Sequence, residues 1–307
     1  MDSISQGASA ARIKPKVAII APGNMGAAVA GRLVEHGIEV RTTLEGRSDA
    51  SRKRAREAGM IEVSLDEITD TDILLSIVPP GKALTLAMAL APRIAARRKG
   101  LVYVDCNAVS PRTVKTIGAA LKSVDFVDAG IIGLPPRPGE NGPTFYASGE
   151  AAGRFAELSR YGLSIKPLAG PIGAASALKM SYAGITKGLS GLGAVMLLAA
   201  SREGAGEALR AELEESQPAL LARFTNALPQ MYSKAYRWVA EMEEIASFLA
   251  EDEAGAGIFR NLARLYERLA ADQEGDRREI GAIDAFLAPG QRANETSTKI
   301  ARTSRAR

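Results

Sequence analysis

The feature that most constrains this chain is a junction near its start, Val17-Ala-Ile-Ile-Ala21-Pro-Gly-Asn-Met-Gly26. The unbroken apolar run reads as a parallel strand buried on both faces. A glycine turn follows, then a helix-compatible stretch from Met25 to Glu35 that Gly37 closes. The segment fits G-x-G-x-x-G with Ala21 in the first glycine place. In that pattern the second glycine lets backbone approach a pyrophosphate, and the third lets the helix pack closely on the strand. Gly23 and Gly26 keep those two roles. The N–H groups of Asn24 and Met25 then open a helix whose positive end suits phosphates. The junction implies an open α/β sheet and a dinucleotide, because it follows a strand, opens a helix and sits inside a βαβ unit.

The downstream pattern agrees. Strands are expected at Ile38–Thr43, Ile73–Ile77, Leu101–Asp105, Phe126–Ile132, Thr144–Ala147 and Leu163–Leu168. Helices are expected over Ala50–Ala58, Ala83–Ala96, Pro111–Leu121 and Ala151–Tyr161. Alternation of this kind specifies a mostly parallel, doubly wound Rossmann sheet with helices on both faces. After Pro171 no strand signal remains. A long helix is expected from Ala174 to about Ala200, with Gly184, Gly188, Gly191 and Gly193 as close-packing positions despite their cost in helix propensity. Glu203 to Phe286 reads as all helix, interrupted near Pro229 and between Asp252 and Gly257. Tyr232, Tyr236, Val239 and Met242 form an apolar stripe of core character. The expected organisation is a disordered segment 1–13, a dinucleotide-binding domain 14–172, an all-helical substrate and dimerisation domain 173–287 joined by the long helix, and a basic disordered tail 288–307.

Charge narrows the partners. The formal net charge is +4, and from Leu287 to Arg307 five basic residues face Glu295 alone, so the tail carries all of it. A neutral body with a short basic tail argues against a nucleic-acid partner, since such tails usually stay solvated. Cys106 is the single cysteine and His36 the single histidine, which excludes internal disulfides and cysteine- or histidine-rich metal sites and argues against a Ser-His-Asp triad. His36, just before Gly37, reads as a helix C-terminal residue. No run approaches the ~20 uncharged residues of a membrane span, and no signal peptide is evident, so a cytoplasmic protein is expected.

The end of the second strand bears on the cofactor. NAD-binding chains place a carboxylate there, about 20 residues after the glycines, to bond the ribose diol. Here that place falls on Leu44, followed by Glu45, Arg47 and Ser48, with Ser51, Arg52, Lys53 and Arg54 on the next helix. Arginine and serine donors suit a 2′-phosphate, which favours NADP. Glu45, one residue beyond the usual place, keeps NAD open.

Five segments in this order resemble the β-hydroxyacid dehydrogenases, the group of 3-hydroxyisobutyrate dehydrogenase and relatives of 6-phosphogluconate dehydrogenase. They are Ala21–Gly26, the cofactor-lining loop Ser76-Ile-Val-Pro-Pro80, Val104-Asp-Cys-Asn-Ala-Val-Ser-Pro111, the substrate segment Asp128-Ala-Gly-Ile-Ile-Gly133, and Gly170-Pro-Ile-Gly-Ala-Ala-Ser-Ala-Leu-Lys179. From Tyr182 onward the chain resembles the subgroup with a phosphogluconate-dehydrogenase-like C-terminal domain of unassigned function. The resemblance implies cofactor contacts at Val78, Pro79, Pro80 and Asn107. It implies substrate contacts at Gly130, Ile131, Ile132 and Gly133, and a catalytic Lys179 acting as proton donor or acceptor. It also implies a homodimer through the C-terminal domain and a small-molecule substrate. Two positions depart from the pattern. The asparagine expected four residues after the lysine is Ala183, with Tyr182 as a stand-in, and the serine expected in the substrate loop is Ile132. Arg137, further along that loop, offers an anion anchor or a solvated surface charge. The leading expectation is NADP-linked oxidoreduction of a C=O/CH–OH group. Imine (C=N) reduction and a non-catalytic NADP-binding sensor or scaffold are the alternatives.

Overall fold

The computed structural model describes residues 14–96, 100–137 and 139–288. Residues 1–13 and all of the expected tail except Ala288 lie outside this range. The chain divides into two compact units, Met1–Lys179 and Met180–Arg307.

The first unit alternates strand and helix as expected. Its elements are β1 (Val17–Ile20), α1 (Asn24–Glu35), β2 (Val40–Thr42), α2 (Asp49–Glu57), β3 (Ile61–Glu62), β4 (Ile73–Ser76), α3 (Pro80–Ala95), β5 (Val102–Asp105), α4 (Pro111–Ala120), β6 (Asp125–Ile132), β7 (Thr144–Ser148), α5 (Ala152–Ala156) and β8 (Ser164–Pro167). They form one sheet in the order β3-β2-β1-β4-β5-β6-β7-β8. The β6–β7 pair is antiparallel and the other pairings are parallel.

Side chains alternate between two cores. Val17 and Ile19 join Val29, Leu33 and Phe155 on one face, while Ala18 and Ile20 join Ala87, Leu90, Val114 and Tyr103 on the other. This double coverage is why β1 reads as an unbroken apolar run. Strand order reverses beside β1, with β2 on one side and β4 on the other. The chain therefore leaves β1 and β4 in opposite directions, opening a crevice at their carboxyl ends, the usual ligand position in such sheets.

Two local expectations change. β3 has both residues exposed, so no buried pattern announces it. The helix expected over Ala151–Tyr161 is α-helical only to Ala156 and then tightens into a 3₁₀ turn, Glu157–Tyr161, which Gly162 ends at φ 85°. His36 is the C-cap residue of α1, and its Nδ1 lies 2.8 Å from the Arg32 carbonyl oxygen.

α6 (Ala174–Arg202) starts in the first unit and continues through the second, which adds α7 (Gly206–Ser216), α8 (Pro218–Tyr232), α9 (Ala235–Phe248), α10 (Glu253–Glu274) and α11 (Arg278–Leu287). The four α6 glycines are close-packing positions, as expected. A Cβ would lie 3.2 Å from Phe259 at Gly184 and 3.5 Å from it at Gly188, 2.5 Å from Leu262 at Gly191 and 2.6 Å from Phe224 at Gly193. By length and composition α6 can cross a membrane, yet its glycine side is filled by these helices, the arrangement of a core helix. Its other side leaves Leu192, Val195 and Met196 exposed, so the second unit does not cover this helix all round.

The interruption expected near Pro229 falls at residues 233–234, between α8 and α9. The proline sits in the last turn of α8, three residues before the helix ends at Tyr232. The expected aromatic stripe is split by the turn between α8 and α9, with Tyr232 and Met242 buried but Tyr236 exposed. The break expected between Asp252 and Gly257 lies a few residues earlier, at 249–252, and 253–257 are already helical. α9 ends at Phe248, and Asp252 caps α10 by accepting from the Gly255 N–H.

Candidate active site

The turn after β1 is built to leave backbone free. The Gly23 N–H donates to the Ala21 carbonyl at 2.8 Å, and the Ala27 N–H donates to the Gly23 carbonyl at 2.9 Å. Gly23 is the N-cap of α1 and offers no side-chain acceptor, so the first N–H groups of the helix keep their polarity for a ligand. A Cβ at Gly23 would meet nothing within 4 Å, whereas one at Gly26 would overlap the Ala21 carbonyl oxygen. Gly23 thus faces open space and Gly26 packs the helix on the strand, which are the two roles a pyrophosphate cradle requires. Asn24 is exposed, while Met25 packs against the core beneath α1.

At the end of β2, Leu44 is buried and fills the place of the missing carboxylate. The Arg47 N–H bonds the Leu44 carbonyl at 3.1 Å across a turn that Gly46 allows with φ 65°. Ser48 is spent as the N-cap of α2, accepting from the Ser51 N–H. Arg47 is half-buried and Glu45 is exposed. The structure adds a contact that spacing alone does not show. Arg54 donates from Nε to the Pro22 carbonyl at 3.1 Å and from Nη2 to the Ser51 hydroxyl at 3.0 Å, joining α2 to the glycine turn.

The loop after β4 meets the same sheet edge. The Ala21 N–H donates to the Ile77 carbonyl at 3.2 Å. Pro79 is the N-cap residue of α3 and Pro80 its first residue, where a missing N–H costs nothing. Val78 donates its N–H to Asn107 Oδ1 at 2.7 Å. Asn107 is buried, and its Nδ2 donates to Ser76 Oγ at 3.0 Å and to Asp105 Oδ2 at 2.9 Å. Its side chain is therefore occupied in shaping the loop. Asp105 also accepts from the Asn107 N–H at 3.1 Å. Burial pushes the Asp105 carboxyl up from 3.8 to about 7, against these hydrogen bonds, and the nearby Asp128 charge adds to the rise. Burial likewise pushes the neighbouring Cys106 thiol well up.

Lys179 comes to this edge from α6. Its Nζ donates to the Ile131 carbonyl at 2.6 Å, at the carboxyl end of β6. The approach depends on Gly130, where a Cβ would lie 2.9 Å from the Ala175 carbonyl oxygen and 3.1 Å from Lys179 Cβ. Ile132 is half-buried, and Gly133 is exposed with φ 128°. Tyr182 lies three residues beyond Lys179 on α6, about half-exposed. Arg137 goes elsewhere. Its carbonyl accepts from Arg32, its guanidinium pairs with Glu140 at 3.8 Å, and it lines a groove of about 260 Å³ with residues of α1 and α2. Among the described residues no group of three or more His, Cys, Asp or Glu side chains is arranged to hold a metal ion.

Comparison with known proteins agrees with this geometry. Residues 16–159 match the family model described as the NAD binding domain of 6-phosphogluconate dehydrogenase, and residues 200–269 match a domain of unknown function, DUF1932. An uncharacterized 28.5 kDa protein of Methanothermus fervidus is 31% identical over 182 residues, covering 59% of this chain and 69% of that protein. The solved structure of the conserved protein MTH1747, described as structurally similar to 3-hydroxyacid dehydrogenases, is 33% identical with a TM-score of 0.66, covering 84% of this chain and 98% of that one. Two further structures share the fold. The Mycobacterium tuberculosis 3-hydroxyisobutyrate dehydrogenase is 18% identical with a TM-score of 0.67, covering 90% of this chain and 100% of its own. A variant of the imine reductase from Myxococcus stipitatus is 19% identical with a TM-score of 0.55, again covering 90% and 100%. With its dinucleotide-binding domain match and its DUF1932 match, the chain belongs to the β-hydroxyacid dehydrogenase superfamily and is an NAD(P)-dependent dehydrogenase or reductase.

Proposed function

We propose that the protein is an NADP-dependent oxidoreductase acting on a C=O/CH–OH group of a small, largely apolar molecule, with Lys179 as general acid and base. The observation that carries this reading is the Lys179 amine, held by the Ile131 carbonyl on the edge of the sheet where the glycine turn also opens. Gly23, Asn24, Met25 and Gly26 would receive the pyrophosphate, Arg47 the 2′-phosphate, and Val78 to Pro80 the nicotinamide side. When bound, the nicotinamide supplies or takes the hydride. In reduction Lys179 gives a proton to the oxygen as hydride reaches carbon, and in oxidation it takes the proton back. Gly130 to Gly133 offer backbone to the substrate, and Ile132 removes the hydroxyl that a carboxylate would seek.

Lys179→Ala should lower turnover by about 10²–10⁴-fold with cofactor affinity nearly unchanged, because it removes a proton donor and no cofactor contact. The substrate comes from a panel of ketones, alcohols and imines assayed with NADPH and NADP⁺. Near-normal turnover of the variant would transfer the role to Tyr182. A second reading, imine reduction, is favoured by the alkyl group at Ile132 and by Ala183 in place of a polar residue. Turnover confined to imines would select it.

Homodimerisation belongs to the same reading. Leu192, Val195 and Met196 are exposed on α6, and a two-fold related copy would bury the same patch on both chains.

A further inference from the structure

We propose that Asp128 is a positioning residue for Lys179, fixing the first turn of α6 and with it the point from which the lysine amine reaches the sheet edge. The inference rests on the reading of Lys179 as the proton donor and adds a residue with no substrate contact of its own.

Asp128 is 1% exposed and lies in the middle of β6. Its Oδ2 accepts from the Gly173 N–H at 2.9 Å, the Ser176 N–H at 3.0 Å and Ser148 Oγ at 3.0 Å, and its Oδ1 accepts from Ser176 Oγ at 2.7 Å. Ser148 Oγ accepts in turn from the Ala175 N–H at 3.1 Å. A helix start needs acceptors for its first N–H groups, ordinarily from the residue just before it. For α6 that residue is Gly173, which has no side chain. The acceptor comes instead from a strand 45 residues earlier, and it carries the negative charge that a helix N-terminus favours.

The consequence is geometric. A local cap would stabilise α6 wherever it lay, whereas this one ties the helix to β6. Two residues on, Gly130 leaves room for Ala175 and Lys179 Cβ, and the next carbonyl, Ile131, accepts from Lys179 Nζ. Lys179 is three residues after Ser176, on the same side of the helix. A buried carboxylate without its donors is costly, so Asp128 and the first turn of α6 must move together.

The test uses full-length Asp128→Asn, which keeps the shape and removes the charge. Turnover should fall about ten- to hundredfold, the size expected for a misplaced catalytic group, with the KM for NADPH changed less than about twofold. In a Lys179→Ala background the same substitution should cost nothing further. A second readout needs no substrate. With surface amines converted to ¹³C-dimethyl-lysine, the Lys179 resonance, assigned by its loss in Lys179→Arg, should shift in Asp128→Asn. Unchanged turnover, losses that multiply in the double variant, or an unmoved resonance would overturn the proposal. Normal turnover of Lys179→Ala alone would instead overturn the proton-donor reading, leaving the resonance to decide the geometry. If Asp128→Asn does not fold, Ser176→Ala removes only one hydroxyl bond and should show the same split and the same shift at smaller amplitude.

Discussion

Asp105→Asn should remove a pH dependence of stability that one buried carboxyl imposes. Asp105 is 1% exposed, and burial moves its pKa from 3.8 to about 7. The folded pKa lies above the unfolded one, so between them the native protein holds a proton that the unfolded chain releases. Stability from this group is therefore fully present below about pH 4, declines as pH rises through the folded value, and levels off above it. A displacement of about three pH units, at about 1.4 kcal/mol each, makes the loss about 4 kcal/mol in order of magnitude. Full burial leaves little solvent to screen it. Asparagine carries no charge at any of these pH values. It keeps one acceptor for Asn107 and forfeits the other, a cost of about 1 kcal/mol. Near pH 4.5 the two proteins should be within about 1 kcal/mol of each other, and by pH 8.5 the variant should be the more stable by a few kcal/mol. Urea denaturation at intervals from pH 4.5 to 8.5 measures the difference, and a carboxyl ¹³C titration of the native protein locates the ionisation directly. Parallel stability curves, or an Asp105 resonance already titrated by pH 5, would refute the reasoning.

Three further outcomes are expected. Arg47→Ala should weaken NADPH by roughly tenfold or more and leave NADH nearly unchanged, because on the proposed reading it removes a charge-assisted phosphate contact, a kind worth ~1.5–3 kcal/mol. Fluorescence titration measures both, and equal affinities in the unmodified protein would contradict the assignment. Gly26→Ala should abolish measurable cofactor binding and lower the thermal midpoint, since its Cβ would overlap the Ala21 carbonyl oxygen. Retention of both would mean that the turn relaxes around the added methyl. Sedimentation velocity should show a dimer at micromolar concentration and a monomer for Leu192→Glu with Met196→Glu, and a monomeric unmodified protein would show that α6 stays uncovered.

The middle of the first unit was legible in the sequence because β1, β4 and β5 are buried along their whole length and turn signals separate the elements. Val17–Ile20, the glycine turn and α1 follow directly from that pattern. Failures lie where sequence carries no burial signal. β3 has both residues exposed, and the break expected at Pro229 comes three residues later, because the proline is accommodated inside the last turn of α8. At the site, Lys179 and Gly130 were legible as positions in a motif. The role of Asn107 was not, because its side chain is claimed by Ser76, Asp105 and Val78, partners that come together only when β4 and β5 pair. Arg137, open in the sequence between an anion anchor and a solvated charge, is exposed and pairs with Glu140. Its loop turns toward α1, where Arg32 takes its carbonyl. Arg54 and Asp128 act across 32 and 45 residues of chain respectively, beyond the reach of any local pattern.

The bond from Arg54 to the Pro22 carbonyl bears on any attempt to redesign the cofactor preference. The obvious route to an NADH-using variant deletes the cationic side chains that follow β2. Arg47 makes a clean target, since its side chain does not hold the glycine turn. Arg54 does not, because the same guanidinium braces the turn that would cradle the pyrophosphate of either dinucleotide. Stripping both arginines would exchange selectivity for a general loss of affinity. On the proposed reading, a designer who replaces Arg47 alone, and introduces a carboxylate at Leu44 only after filling the space that leucine occupies, would change the recognition of the ribose while leaving the glycine turn intact.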